Sequence, residues 1–404
     1  MKRKRGGKIR FAVFFAVLSI TVISPAMSAN LIATPKITIE ESWDSNIFST
    51  SDNTISDYIT RATPGLALSL ETLQTTIILS GSLEYTRYSS HTELNNRGTT
   101  RYSLSVEKPL QFSPRLSLQP TVRFVESSDS YRRNQLIASP VPGLPPSEVV
   151  ITAPTKTRDL TGSLQLTYLL NPKVDLGLTA GGTKRTFLDN NAAGVDSDTV
   201  TGGASISYHF TPRFSSGISI NASYNTFADN TDSRSNAAGI TAKYIISEYY
   251  TFDATAGVDY LRETTLTGKD TNSSPSGQFS LTYARKDFRA SLIGSYGLTG
   301  GGSFGVTTHR GNIQFTLTDQ FAKGWWGDLT GSYQINQSLD TPRTEDIRTW
   351  NGNVGLRYQA AEWASFRLSG NMNRQRARNS IVGADLDRSS VLLGLDLSKD
   401  YKLF

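Results

Sequence analysis

The residues able to do chemistry in this 404-residue chain are single charges set among neutral polar neighbours. Arg185, Lys243, Asp253, Arg289, Asp328, Arg357 and Arg367 each stand in a stretch where every second residue is apolar, and each falls on the polar phase, as do Arg123 and Asp259. The rest of that phase is mostly Ser, Thr, Asn, Gln and Gly, as in Asn312, Gln314, Thr316 and Thr318, or Ser365, Ser369, Asn371 and Asn373. If this face lines water, it solvates a sugar without holding it, and its arginines bias passage toward anions or acidic glycans. A plainer reading stands beside that one. Lys243 falls opposite Asp253 across the turn Ser247 to Tyr249, which makes a cross-strand ion pair, and Arg289, Arg357 and Arg367, with no such partner near their turns, are arginines solvated in a wide lumen.

Catalysis needs a nucleophile, a base and a group that orients it. The chain offers three histidines, His91 in a loop, His209 at a strand end and His309 at a loop edge, none in a His-x-Ser arrangement or beside paired acids on one strand. No enzyme is expected. The Asp and Asn clusters at Asp189 to Asp198 and Asp229 to Asp232 lack the ligand spacing of a calcium loop and read as ordinary loop chemistry. No glycine-rich phosphate loop and no plug domain precedes the strands, so neither a cofactor nor a metal is expected, and energy-coupled uptake is disfavoured.

The elements that must position these charges are β-hairpins. From Thr199 to Tyr260 one phase carries Val200, Ala204, Ile206, Tyr208 and Phe210, then Phe214, Ile218, Ile220 and Tyr224, then Ala238, Ile240, Tyr244, Phe252, Val258 and Tyr260. A period of two held over about a dozen residues exceeds most soluble strands. Short turns at Thr211-Pro212-Arg213 and Ser247 to Tyr249 alternate with a long polar loop at Ala228 to Ser235. Tyrosines on the apolar phase recur near the long loops (Tyr224, Tyr260, Tyr296, Tyr333) and near the short turns (Tyr168, Tyr208, Tyr244, Tyr283, Tyr358). An apolar band between two aromatic rows is what a bilayer demands of an outward barrel face, whereas a soluble sandwich has no reason to lengthen every second connection. The expectation is an all-β, transmembrane antiparallel up-and-down barrel of about 18 strands with short periplasmic turns and longer extracellular loops. Pro64-Gly65 is placed at a strand end or bulge.

The amino terminus has the three parts of a secretory signal: Lys2 to Arg10 basic, Phe11 to Ile23 apolar, then Ala26, Ser28 and Ala29 small. Residues 1–29 are expected to be cleaved after Sec export, leaving 30–404 as one domain. No cysteine is present for lipidation. Six of the 41 basic residues and none of the 35 acidic ones lie in the leader, so the mature chain is formally neutral and gives no sign of nucleic-acid binding.

Trp43-Asp44-Ser45-Asn46-Ile47-Phe48, then Ser56-Asp57-Tyr58, then Pro64-Gly65-Leu66, with repeated hairpins after them, resembles the opening of the β-barrel porin family and of outer-membrane barrels from exopolysaccharide loci, including the PEP-CTERM-associated type. The resemblance implies residence in a Gram-negative outer membrane, partnership with its lipid and its assembly machinery, and a role as a passive pore for polar solute or polysaccharide. A non-conducting scaffold barrel whose loops bind a partner is the alternative. Such barrels usually end on an aromatic in phase with the last strand. Val391 to Leu403 keeps its apolar residues on odd positions while Phe404 is even, which implies either a bulge or a frayed tail from Lys399. The longest loop, Ser127 to Thr157, holds five prolines and the patch Val149-Val150-Ile151, and either folds inward, projects to a partner, or has no role.

Overall fold

The computed structural model describes residues 29–95, 98–127, 155–188, 195–228, 232–265, 268–299, 308–339, 346–378 and 385–403. Twenty-one strand segments, three of them continuations of a strand across a break, make 18 spans. These are β1 (Asn30–Asp44), β2 (Asp57–Glu71), β3 (Thr76–Leu83, continuing as Tyr85–Tyr88), β4 (Thr100–Lys108, continuing as Leu110–Ser113), β5 (Leu116–Ser127) and β6 (Thr157–Asn171). Then come β7 (Val174–Phe187), β8 (Ser197–Thr211), β9 (Phe214–Phe227), β10 (Asp232–Ile245), β11 (Tyr250–Thr265) and β12 (Gly268–Ala284). The last are β13 (Phe288–Thr299), β14 (Thr308–Ala322), β15 (Trp325–Ser338), β16 (Asp346–Ala361), β17 (Ala364–Arg378) and β18 (Leu386–Ser398, continuing as Tyr401–Lys402).

Each strand pairs antiparallel with its neighbours in sequence, and β1 pairs with both β2 and β18, so the sheet closes on itself without an edge. Following the strand partners once around the barrel returns to β1 displaced by about 22 residues, which for this strand number fixes a tilt of about 40° and a backbone radius of about 17 Å. That is wide enough for an aqueous lumen.

Period-two alternation places one phase outside. Val200, Ile218, Ile220, Ile240, Val258, Val354 and Leu393 all lie outward and are more than half exposed, an apolar belt that only lipid can cover. Ring contacts tie the short-turn row together: Tyr208, Phe210, Phe214 and Tyr244 form one chain, Tyr283 meets Tyr250 and Phe288, and Trp325 stacks on Tyr358. The loop-side row includes Tyr102 with Phe124 and Tyr333 with Trp350. Along β9 the rows stand at Phe214 and Tyr224, about 25 Å apart in height at this tilt. No helix among the described residues is long and apolar enough to cross a membrane; the chain crosses with strands.

The short turns share a device. Side-chain oxygens of Thr72, Ser113, Asn171, Thr211 and Ser247 each accept a hydrogen bond from a backbone N–H two residues on, closing the reversal, in three of them around a proline (Pro114, Pro172, Pro212). At the exposed turn before β11 a hydrogen bond to the Glu248 carboxylate holds the Tyr249 phenol above the usual tyrosine range.

Two expectations are corrected. Pro64-Gly65 lies inside β2, not at its end: Pro64 partners Ile37 of β1, and on its other side the ladder to β3 is interrupted between Ala62 and Gly65, where the segments of β3 break at Glu84. A residue without an N–H is tolerated because it faces that gap. At the carboxyl end there is neither bulge nor fraying: the β1 partner positions run in one register from Lys36 with Ser398 to Ile32 with Lys402, and the Leu403 N–H donates to Leu31 O at 2.8 Å. Phe404, the signal segment and most of the long loop lie outside the described residues.

Candidate functional site

The inward phase of all 18 strands is the candidate site. Two pairs of its charges are direct register partners. Arg185 of β7 stands opposite Asp159 of β6 and donates from Nε at 2.7 Å, both side chains nearly inaccessible. Arg185 is therefore part of a buried ion pair rather than an open lining residue. Lys243 and Asp253 are direct partners as expected, 3.9 Å apart and half exposed.

The three arginines without an obvious partner have different surroundings. Arg289 is exposed and faces Thr318 of β14, whose hydroxyl donates to Asp328 of β15 at 3.0 Å. Arg357 lies 4.7 Å over the ring of Trp326, its direct partner on β15, a cation–π contact. Trp326 is a large aromatic on the lumen side that the alternation marks by its even number, one step out of phase with the girdle residue Trp325. Arg367 of β17 reaches across β18 to the Glu40 carboxylate of β1. The residue between them on β18 is Gly394, partner of both, over which the guanidinium passes. Beside this pair, Asp396 accepts from Thr38 at 2.5 Å and from Lys36 at 3.1 Å. The closing seam of the barrel is thus tied by charge as well as by the ladder.

On β14 to β17 the wall is rich in amides. Asn353 donates to Asn371 at 2.6 Å, Asn351 to Ser332 at 3.1 Å, and Arg310 to Asn336 at 3.0 Å. Asn351 Oδ1, Gln334 Oε1, Asn336 Nδ2 and Asn373 Oδ1 are buried with no hydrogen-bond partner. Amides present donor and acceptor together, the pattern that matches vicinal hydroxyls.

Accessibility differs along the axis. Toward the long loops, inward residues are buried, including Ser233, Thr308, Asn336, Thr349 and Gln375 at 0% exposure. Toward the short turns, Lys243, Gln278, Arg289 and Arg357 are exposed. Among the described residues, inward side chains are covered toward the loop end and accessible toward the other. Part of the closure is visible at β1 to β3, where Ile47 and Leu94 from the first two long loops pack on the inward Ile59 and Tyr88. Asp57 holds the second loop by accepting from the N–H groups of Ser90 and His91 and from the His91 ring. Arg388 of β18 clasps Asp44 at 2.7 Å and also donates to Ser49. Nothing in the sequence pattern signals this packing, apart from the apolar Ile47, Phe48 and Leu94 in otherwise polar loops.

The histidines are apart from one another. His91 belongs to the loop contact just described, and His309 faces outward, its ring 5.8 Å from that of Tyr296. His209 binds Asp175 at 2.6 Å beside a cavity of about 530 Å³ lined also by Ser207, Lys243 and Asp253. No hydrogen bond links His209 to Ser215, its partner on β9. Among the described residues no group of three or more acids and histidines could hold a metal. Of the acidic loop clusters, Asp196 accepts from the Phe187 N–H and Asp198 pairs with Lys184; the remaining members lie largely outside the described residues.

Residues 150–322 match a family described as a protein of unknown function, DUF481. That is less than half of the chain. Among solved structures, OpdK of Pseudomonas aeruginosa with vanillate is similar at 13% identity, with 91% of this chain and 99% of that one covered and a TM-score of 0.45. OpdL of the same organism is similar at 14% identity, 93% and 99% coverage and TM-score 0.45. OccK2 (OpdF) in complex with glucuronate gives 13%, 93%, 99% and 0.45. No curated protein sequence matches. The closed barrel itself stands on the strand registry.

Proposed function

We propose that this chain is an outer-membrane barrel, exported by Sec with residues 1–29 removed, that passes polar solutes passively, and that saccharide, exopolysaccharide in particular, is the solute class. The observation that carries this reading is the lumen wall. Its accessible part is mostly polar, and many of its charges are tied to a counter-charge: Arg185 to Asp159, Lys243 to Asp253, Arg367 to Glu40, Lys36 to Asp396 and Arg388 to Asp44. Such a wall hydrates neutral polyols and leaves little net field to select ions. The exopolysaccharide assignment draws on the resemblance of the Trp43 to Leu66 segment and on the amide face of β14 to β17. No hydrolytic or transfer chemistry is assigned to His209 and Asp175, because Ser215 makes no bond to the imidazole. Liposome swelling tests the solute class. Neutral mono- and oligosaccharides should enter barrel-containing vesicles at rates set by size, with anionic sugars no faster than neutral ones. Exclusion of all sugars by vesicles that still pass small ions would overturn the saccharide assignment.

The second reading is a non-conducting scaffold barrel whose loops bind a partner. Burial of the inward side chains at the loop end favours it.

A further inference from the structure

Outside the barrel, charges beyond the loop-side aromatic row are placed in two ways. On β5 and β6, and on β7 and β8, a cation faces an acid: Arg158 meets Glu126 at 2.7 Å and Lys184 meets Asp198 at 3.0 Å. Where Arg348 and Arg376 face one another across β16 and β17, acids are at hand, with Asp387 2.8 Å from Arg376 and Asp346 3.7 Å from Arg348. On β10 and β11, Arg234 and Arg262 are direct partners, both exposed and neither in an ion pair. Asp232, two residues farther along the same face, pairs with neither. Like charges opposed on a sheet are unfavourable, and among the described residues no acid is paired with either.

Their position says what supplies it. Arg234 faces Tyr224 across β9, its guanidinium 5.0 Å from the ring centroid, and Arg262 lies two residues beyond Tyr260. These tyrosines mark headgroup level: the Arg234 guanidinium lies over the ring of its partner Tyr224, and two residues of tilted strand carry Arg262 about 5 Å beyond Tyr260. Farther down the same face, past Asn236 and Tyr260, the surface is apolar and exposed: Ile240 66%, Val258 56%, Ile220 56%. Two guanidinium forks match the oxygens of one phosphate, and the apolar strip beneath suits acyl chains.

We propose that Arg234 and Arg262 form a clamp for the phosphate of an outer-leaflet phosphoglycolipid, whose chains lie along Ile220, Ile240 and Val258. The clamp rests on the membrane-spanning reading of the barrel and is independent of whether it conducts.

The test is native mass spectrometry of the full barrel in non-ionic detergent, titrated with a bis-phosphorylated diglucosamine lipid, its dephosphorylated form, or inorganic phosphate. The parent and a Lys184→Gln control should hold the phosphorylated lipid alike. The double variant Arg234→Gln with Arg262→Gln should bind it about tenfold more weakly, the loss expected for charge-assisted hydrogen bonds. Millimolar inorganic phosphate should not displace it. Equal binding by double variant and parent, or equal binding of the dephosphorylated lipid, overturns the clamp; displacement by inorganic phosphate makes it a free-anion site and overturns the lipid assignment. Heat-modifiable gel migration and urea-resistant vesicle association show that each variant is folded and inserted. A parent chain that fails both overturns the membrane reading and the clamp together, whereas an inserted barrel without lipid preference overturns the clamp alone.

Discussion

At the scale of single residues, Leu329 and Val354 are cross-strand partners on the outward face, 45% and 60% exposed, and Thr330 and Asn353 are the adjacent inward pair. A one-position shift therefore moves a side chain from lipid to lumen. Arginine at Leu329 or Val354 should cost roughly 2 to 4 kcal/mol, as charges do at mid-bilayer, and arginine at Thr330 or Asn353 far less. Urea unfolding in lipid vesicles measures both, and equal costs would contradict the assignment of faces. Buried and open ion pairs should also separate. Arg388→Ala leaves the Asp44 carboxylate, 3% exposed, without its guanidinium and should destabilise by about 3 to 5 kcal/mol. Lys36→Ala removes a cation that is itself half exposed and should change stability by less than about 1 kcal/mol. Faces were legible in the sequence because a period of two is a local property. Lys243 with Asp253 was legible because a short turn fixes their register. Arg367 with Glu40 was not: the partners are 327 positions apart, and their contact spans a third strand, β18, visible only once the barrel is closed.

At the scale of elements, the second long loop hangs on one carboxylate. Asp57→Ala removes the acceptor of the Ser90 and His91 N–H groups and of the His91 ring, while Tyr58 to Glu71 keeps its ladder. Chymotrypsin added to intact vesicles should then cut at Tyr88 or Leu94 markedly faster than in the parent, with gel migration of the folded barrel unchanged. An unchanged cleavage rate would show that the loop is held by Ile47 and Leu94 packing instead. Strands were legible where turn chemistry bounded them, as at Asn171-Pro172-Lys173 and Thr211-Pro212-Arg213. Strand ends on the loop side were less so: β10 begins at Asp232, inside the stretch Ala228 to Ser235 expected as loop, and β12 begins at Gly268, where polar residues follow one another with no apolar phase to mark them. The break at Pro64 depends on which strand lies beside it, and the final strand keeps phase with β1 through Leu403, a relation between chain ends that no local pattern holds.

At the scale of the whole molecule, strand number followed from counting alternating stretches, and the even count followed from the alternation of short and long connections. Width and tilt did not, because they depend on a displacement accumulated over every strand pair. The burial of inward residues at the loop end was equally hidden, since Ser, Thr, Asn and Gln stand on the inward phase at both ends. These two features set opposing expectations: a wall of this radius conducts freely, and a closed loop end narrows it. Single-channel recording of purified, correctly inserted protein in planar bilayers decides between them. The account predicts stepwise conductance with weak preference between small cations and anions, reduced in steps when oligosaccharide is added. Heat-modifiable, inserted protein that passes no current at any voltage would contradict it and leave the chain a scaffold.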